Sequence, residues 1–598
     1  MIFSAKGGCA SGADFYLLTY FMSTIPQRFN ETADKFAKRP ALKFKYHGAY
    51  ITVTFAELKK RVAEMAGGLL ALGVKPGERL AILAENRSEW VRADLAVLTI
   101  GAVVVPVHTT LSPKLISHIL NDSGAAYLLV SHQELFNKII LIANQLPNLK
   151  TIIYIKLNHL PENFKEKKLI SLDEVMNLGQ NNQGEIKVLI KPDDLASIVY
   201  TSGTTDLPKG VMLSHRNFLF DAEASVTVVP VDEGDTLLSF MPLSHVLERT
   251  AGYYAPLVLR GCCIVYAESV KTLVVNLKEV KPTVIVCVPR IFEKFHIGIW
   301  EKVKKGGRLK YKIFVWALKQ EPKTIGHLAA EFLVFRKIRQ NLGGHLRLAI
   351  CGGATLNHKL ARFFDRLGLI IVEGYGLTET SPVATVNRPD NIKFGTVGQK
   401  LPGVEIAIAK DKEILVRGPN VMLGYYQKPE LTRQVIDASG FFHTGDLGFL
   451  SSQGFLVIIG RKKEMISLSN GKIAWPESLE VILNNDRLIN QSMVYGNHRS
   501  YLVALIVPDW PEVARSLAEL DLGSKEPDIL VKEPKLIALF AQRLEKINEQ
   551  LADWEKIRRF KLLPAEFSSQ KDEVNPALKL CRPVIENHYQ KEIERLYQ

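Results

Sequence analysis

Between Tyr200 and Gly210 the chain reads Tyr-Thr-Ser-Gly-Thr-Thr-Asp-Leu-Pro-Lys-Gly, and Thr201 to Thr205 carry only hydroxyl side chains or none. The run follows apolar Leu195-Ala196-Ser197-Ile198-Val199, which has the texture of a strand. A loop at a strand end, rich in hydroxyls and exposed N–H groups and closed by Lys209, suits the oxygens of a phosphate. It is not a Walker A loop, because no Gly-Lys-Ser/Thr stands four residues after a first Gly. A polar surface turn has the same composition, so the loop takes its meaning from what accompanies it.

Four further groups follow in order. Met241-Pro242-Leu243-Ser244-His245 ends a strand-like run and opens a helix. Glu373-Gly374-Tyr375-Gly376-Leu377-Thr378-Glu379-Thr380 brings a ring, a hydroxyl and a carboxylate close together. Thr444-Gly445-Asp446 reads as a turn, and Gly460-Arg461 follows it. Tyr375 offers a ring face to a planar base, and Gly352-Gly353-Ala354 lets such a base approach the backbone. Thr378 can donate to a phosphate, and the Glu379 carboxylate is an oxygen ligand of the kind Mg²⁺ takes alongside substrate phosphates.

This ordered set resembles the adenylate-forming superfamily of acyl-CoA synthetases, luciferases and peptide-synthetase adenylation domains, over roughly Arg28 to Arg582. The resemblance implies that Thr201, Ser202, Gly203, Thr204, Thr205 and Lys209 hold ATP phosphates. It implies that Gly353, Ala354, Gly374, Tyr375 and Gly376 receive the nucleotide, with Asp446 and Arg461 on the ribose and Glu379 on Mg²⁺. Asn575-Pro576-Ala577-Leu578-Lys579-Leu580-Cys581-Arg582 resembles the Pro-Thr-x-Lys-x-Lys-Arg ending of long-chain acyl-CoA synthetases. Lys579 then matches the lysine that offsets the repulsion of carboxylate and α-phosphate as they meet. Thr378 and His245 join it as catalytic residues, and Lys463 matches the hinge.

The run His245 to Tyr254, the run Val288 to Lys294 and the basic insert after it look like the bacterial long-chain class. The implied reaction has two halves. A fatty carboxylate attacks ATP to give acyl-AMP and pyrophosphate; the small domain then rotates and a thiol takes the acyl group. That thiol is CoA or, alternatively, an acyl carrier protein; a third reading is a non-catalytic lipid or nucleotide binder. Asp206 stands where the family has Gly, and its charge is expected to weaken ATP binding. Ala577 replaces a Thr and Cys581 a basic residue beside Lys579.

The elements that must position these residues are legible as an alternation. Helix-like Phe55 to Leu72 and Ser88 to Ile100 flank the strand Leu80 to Leu83. Apolar runs at Val103 to Val105, Ala126 to Val130, Ile198 to Tyr200, Thr283 to Val286 and Leu346 to Ile350 continue the pattern. Such spacing predicts an α/β fold with largely parallel sheets. Near Gly403 shorter, turn-rich strands begin, predicting a small β-rich subdomain. The expected organisation is a large adenylation domain over 22–460 and a small mobile α+β domain over 461–598.

Length, 598 residues, allows several domains, and 47% hydrophobic with 23% charged residues is ordinary for a globular protein. Six scattered cysteines with no CxxC pair read as buried thiols. No apolar run reaches the 18 residues or more that a membrane helix needs, so a cytoplasmic location, peripheral on the inner face of a membrane, is expected. Residues 1–21 read as an extension upstream of a more ordinary start at Met22. The net charge of +14 favours anionic partners. From Arg290 to Arg347 fourteen Lys/Arg stand against four Glu, interleaved with Phe295, Trp300, Tyr311, Phe314, Trp316, Phe332 and Phe335. A solvated basic face over a packed one and a segment lying on an anionic membrane are the two readings. No nucleic-acid reader motif accompanies the charge.

Overall fold

The computed structural model describes residues 23–160, 167–181, 188–201, 207–321, 324–514, 526–574 and 579–598. Ser202, Gly203, Thr204, Thr205 and Asp206, the extension before Met22, and Asn575 to Leu578 lie outside the described residues.

Two large mixed sheets dominate the N-terminal part. The eight-stranded one runs Gly424–Tyr425, Lys209–Ser214, Leu195–Thr201, Val103–Val107, Arg79–Leu83, Tyr127–Val130, Thr151–Tyr154, Lys168–Ser171. From Leu195–Thr201 onward its neighbours are parallel. The nine-stranded sheet has a parallel centre through Cys263–Tyr266, Thr236–Ser239, Val284–Cys287, Leu348–Cys351 and Ile370–Gly376. These strands are short β-branched and aliphatic runs with both faces covered, as parallel sheets require; every residue of Val103–Val107 is buried.

Helices cover the faces and meet them closely. Thr54 caps the helix Phe55–Ala71 by accepting from the Glu57 N–H, while Glu57 accepts from the Thr54 N–H at 2.8 Å. That helix packs on Leu172–Asn181 through glycine: a Cβ on Gly68 would lie 1.9 Å from the Val175 carbonyl oxygen.

A four-stranded antiparallel sheet, Glu405–Ile408, Glu413–Arg417, Phe442–Leu450 and Leu456–Arg461, forms the β-rich unit. The C-terminal part has its own core around the three-stranded sheet Ile489–Tyr495, Leu502–Pro508 and Ile557–Leu562. The predicted α/β class with layered sheets, a β-rich unit and a smaller α+β part is the observed one.

The basic insert folds as the helices Pro289–Lys305, Arg308–Leu318, Ile325–Ala330 and Arg336–Asn341, with a π-helical turn at Glu331–Phe335. Phe295, Phe314 and Phe335 are buried in a core shared with the nine-stranded sheet. Tyr311, Trp316 and Phe332 are exposed. Among the described residues no helix is long and apolar enough to cross a membrane.

Candidate active site

Thr201 and Lys209 turn out to be the ends of paired strands. Leu195–Thr201 and Lys209–Ser214 form an antiparallel hairpin with Thr201 opposite Lys209 and Tyr200 opposite Gly210. Gly210 is required there, since a Cβ would meet the Ile198 side chain at 2.6 Å and the Tyr200 ring at 3.1 Å. Two anchors fix the hairpin. Tyr200 Oη donates to Asp122 at 2.6 Å, and His118 Nε2 donates to the Pro208 carbonyl at 2.9 Å. Behind it the fully buried Arg249 pairs with Asp94, donates to Ser197 Oγ at 2.7 Å and lies over the rings of Trp90, Phe218 and Tyr254. A buried cation so compensated stays charged and holds the strand that leads into the loop.

The nine-stranded sheet presents its strand ends to the same place. Leu348–Cys351 runs into Gly352-Gly353-Ala354, where Gly353 has φ 82°, the left-handed region that glycine adopts freely. Ile370–Gly376 carries Gly374, Tyr375 and Gly376. Gly376 admits no side chain, because a Cβ would fall 1.6 Å from the Pro382 carbonyl oxygen. Thr378 and Glu379 follow in a 3-10 turn, Thr378–Thr380. Tyr425 Oη donates to Glu379 Oε1 at 2.8 Å, and burial raises the Glu379 pKa.

The expected turn at Thr444-Gly445-Asp446 is instead inside the strand Phe442–Leu450. Gly445, at φ 72°, lets the chain kink there, and its N–H reaches Glu413 Oε1 at 2.9 Å. The turn-like composition reflects this local irregularity within continuing strand pairing. Asp446 and Arg461 are cross-strand partners, with Arg461 Nε 3.0 Å from Asp446 Oδ1. Tyr375 Oη donates to Asp446 Oδ2 at 2.8 Å. The phenol and the guanidinium thus fix both carboxylate oxygens.

His245 caps the short helix Val246–Arg249, its Nδ1 accepting from the Leu247 N–H at 3.2 Å. That bond leaves Nε2 to carry the proton. Burial, helped by the Lys579 charge, holds the His245 pKa down at about 4, so the ring is neutral at physiological pH. Lys579 enters from the C-terminal part. Burial pushes its ammonium down and Arg461 pushes the same way, while Glu477, Asp446 and Glu464 resist.

A cavity of about 260 Å³ brings these groups together: Thr201, His245, Gly353, Gly374, Tyr375, Gly376, Thr378, Glu379, Arg461 and Lys579 all line it. A smaller adjoining recess adds Ala354 and Asp446 and shares Tyr375, Arg461 and Lys579. Lys209 lies outside this lining, and Lys463 is exposed in the 3-10 turn Lys462–Glu464 between Leu456–Arg461 and Ile466–Ser467.

Two residues escaped the sequence reading, and a third, Glu373, stood in a quoted run without a role. His108 lines the main cavity with its Nδ1 2.8 Å from Ser244 Oγ, and burial holds its pKa down at about 3. Glu477 lines the recess beside Lys579. Glu373, whose carboxyl burial pushes up to about 7, accepts from the Leu356 N–H at 2.9 Å under the glycine loop. His108 and Glu477 stand alone in sequence with no spacing signal to mark them, whereas Glu373 opens the run that ends at Thr380.

Residues 29–426 match the family model of AMP-binding enzymes, and 463–598 match the C-terminal domain of AMP-binding enzymes. The chain is 32% identical to the long-chain-fatty-acid–CoA ligase FadD15 of Mycobacterium tuberculosis, covering 92% of this chain and 93% of that one. It is 29% identical to the long-chain-fatty-acid–[acyl-carrier-protein] ligase AEE15 of Arabidopsis thaliana, covering 96% and 86%. In fold it matches the didomain of a carboxylic acid reductase from Segniliparus rugosus solved with AMP, at TM-score 0.79 and 23% identity over 98% of this chain and 84% of that chain. Two family models in chain order span both parts that line the cavity, and the chain belongs to the adenylate-forming family of AMP-binding enzymes.

Proposed function

We propose that the chain activates long-chain fatty acids with ATP, through acyl-AMP, to acyl-CoA, releasing AMP and pyrophosphate. The observation that carries this is Lys579 in one cavity with Thr378, Glu379, His245 and Arg461. A cation from the C-terminal part stands where two anions have to meet, and full-length relatives carry the name of long-chain-fatty-acid–CoA ligases. Lys579 offsets the charge of carboxylate and α-phosphate, and Thr378 donates to the α-phosphate. Neutral His245 donates from Nε2 to the entering carboxylate without adding charge. The Asp446–Arg461 pair, held by Tyr375, receives the ribose hydroxyls, while the Tyr375 ring and the Gly353-Ala354 backbone flank adenine. Thr201 and the hydroxyl run after it, with Lys209, hold the β- and γ-phosphates.

The residues present fit a Mg²⁺ ion carried in by the nucleotide. Glu379 is a single half-buried carboxylate fixed through one oxygen by Tyr425, and Mg²⁺ commonly takes one or two carboxylates with phosphates and water. Bound there, the ion would neutralise phosphate charge. The reading divides the chain at 460/461 and turns the C-terminal domain about Lys463 between the two half-reactions. CoA is the acceptor; the carrier-protein ligase among the relatives makes acyl carrier protein the second candidate. The basic insert is read as holding the protein, peripherally, at the inner face of an anionic membrane.

Incubating the full chain with ATP, Mg²⁺ and fatty acids of graded length tests this, with CoA and holo-acyl carrier protein supplied separately. AMP and acyl-CoA should form, fastest with long chains. Absence of AMP with every fatty acid refutes the reading, and thioester on carrier protein alone replaces CoA as the acceptor.

A further inference from the structure

The insert leaves two apolar stripes uncovered. In the helix Arg308–Leu318 one side, Phe314 and Ala317, enters the core, whereas Leu309, Ile313 and Trp316 are exposed. Their spacing of four and then three residues places them on one helical face. The segment Ile325–Phe335 repeats the arrangement. Ala330 and Phe335 are buried, while Ile325, Leu328 and Phe332 are 87%, 68% and 69% exposed and again share a face. The two segments pack against each other. Large apolar side chains at such exposure, regularly spaced on adjacent helical segments, do not occur on a solvated face by chance.

Cations frame these stripes. Arg308, Lys310 and Lys312 alternate with the first, Lys302, Lys304 and Lys305 precede it, and Arg336 and Lys337 follow the second; all are exposed. Of the acids near the stripes, Glu331 is paired with Arg339, and Glu301 and Glu321 are outnumbered by the eight cations named. Apolar tips framed by exposed lysine and arginine match the layering of an anionic bilayer, in which phosphates overlie hydrocarbon. Trp316 and the exposed Tyr311 are the residue types that settle at that boundary.

We infer that Leu309, Ile313, Trp316, Ile325, Leu328 and Phe332 form a crest that inserts into the interfacial layer of an anionic membrane, with the flanking lysines and arginines on its phosphates. This rests on the reading that the substrate is a fatty acid met at a membrane. It differs from adsorption by charge alone, because apolar contact persists when salt screens the cations.

The test is sedimentation of the full chain with vesicles of phosphatidylglycerol and phosphatidylcholine, and with pure phosphatidylcholine, at low and high salt. The parent should bind the anionic vesicles and retain part of that binding at high salt. I325Q/L328Q/F332Q should bind on the order of tenfold more weakly at high salt. Replacing Lys302, Lys304, Lys305, Arg308 and Lys310 with Gln should remove mainly the salt-sensitive part. Octanoate-dependent activity in solution should be unchanged in both. Should the triple variant lose its thermal midpoint, L309Q/W316Q on the other stripe makes the same comparison. A parent that ignores anionic vesicles, or a crest variant that binds like the parent, overturns the inference. So does a crest that captures acyl carrier protein or a second copy of the chain without binding vesicles. If vesicle binding follows the prediction but no fatty acid is activated, the docking surface stands and the enzymatic reading falls.

Discussion

Lys579 sits among charges of both signs, with Arg461 pressing against it and Glu477, Asp446 and Glu464 on the other side of the balance. Acids lower the cost of burying that ammonium before an anionic substrate arrives; the triphosphate and carboxylate then supply the compensation themselves. Lys579→Ala should therefore cut acyl-AMP formation on the order of a hundredfold or more, as loss of a preorganised charge partner does. Thioester formation from supplied acyl-AMP should persist, because the proposed rotation of the C-terminal domain withdraws the lysine before that step. Pyrophosphate exchange and acyl-CoA release, assayed separately, check this; equal loss in both would remove Lys579 from the adenylation step. Lys579 was legible in sequence only because a positional motif surrounds it. His108 and Glu477, as close to the chemistry, were not, since a lone histidine or glutamate looks like any other until the fold gathers it.

The short helix Val246–Arg249 does more than carry His245 at its start. Glu248 within it is buried, accepts from Ser239 Oγ at 2.7 Å through Oε1, and among the described residues has no hydrogen-bond partner at Oε2. Burial pushes its carboxyl up to about 8, so it is protonated in the folded protein at neutral pH. The sign follows from proton counting. Between the unfolded value near 4.5 and the folded value near 8, the folded state holds the extra proton, so rising pH favours unfolding. Glu373, at about 7, acts in the same direction. Burial depresses His108, His215 and His245, which pull the opposite way only below the ordinary histidine value of 6.5. Stability should then fall from pH 6.5 to 8, with Glu248 contributing up to about 2 kcal/mol. Glu248→Gln, which keeps the neutral shape, should flatten that limb in thermal or urea melts; an unchanged slope would mean water reaches the carboxyl. Elements were the most legible scale. Leu80 to Leu83 and Ser88 to Ile100 fall on an observed strand and helix almost residue for residue. Thr444-Gly445-Asp446 did not, because a glycine kink inside a paired strand has the composition of a turn, and only the partner strand reveals the difference.

At the scale of the whole molecule the cavity is closed by a part of the chain more than a hundred residues beyond Arg461, and some contact must hold that part in place. Arg290, second residue of the insert helix Pro289–Lys305, crosses to the C-terminal sheet: its Nη2 donates to the Asn490 carbonyl at 2.9 Å and to Asn490 Oδ1. Glu293 fixes the same guanidinium from below at 2.9 Å. Within the C-terminal part, Arg582 binds Glu480 at 2.6 Å and Glu464 at 3.5 Å, tying the segment that carries Lys579 to the turn holding Lys463. The Arg290–Asn490 bond is made in the arrangement that also puts Lys579 in the cavity, and the rotation proposed for the second half-reaction would break it, so on that reading it favours the arrangement shown. Hydrogen bonds to a charged group contribute about 1.5–3 kcal/mol, and Arg290 is a third exposed, which discounts the figure toward its lower end. Arg290→Ala should thus lower adenylation by several-fold up to about tenfold, while transfer from supplied acyl-AMP to CoA is unchanged or faster. Arg290→Lys, which keeps charge but not the double contact, should recover only part of the loss. If both half-reactions decline together with the melting temperature, Arg290 merely supports the insert helix and the closure is held elsewhere.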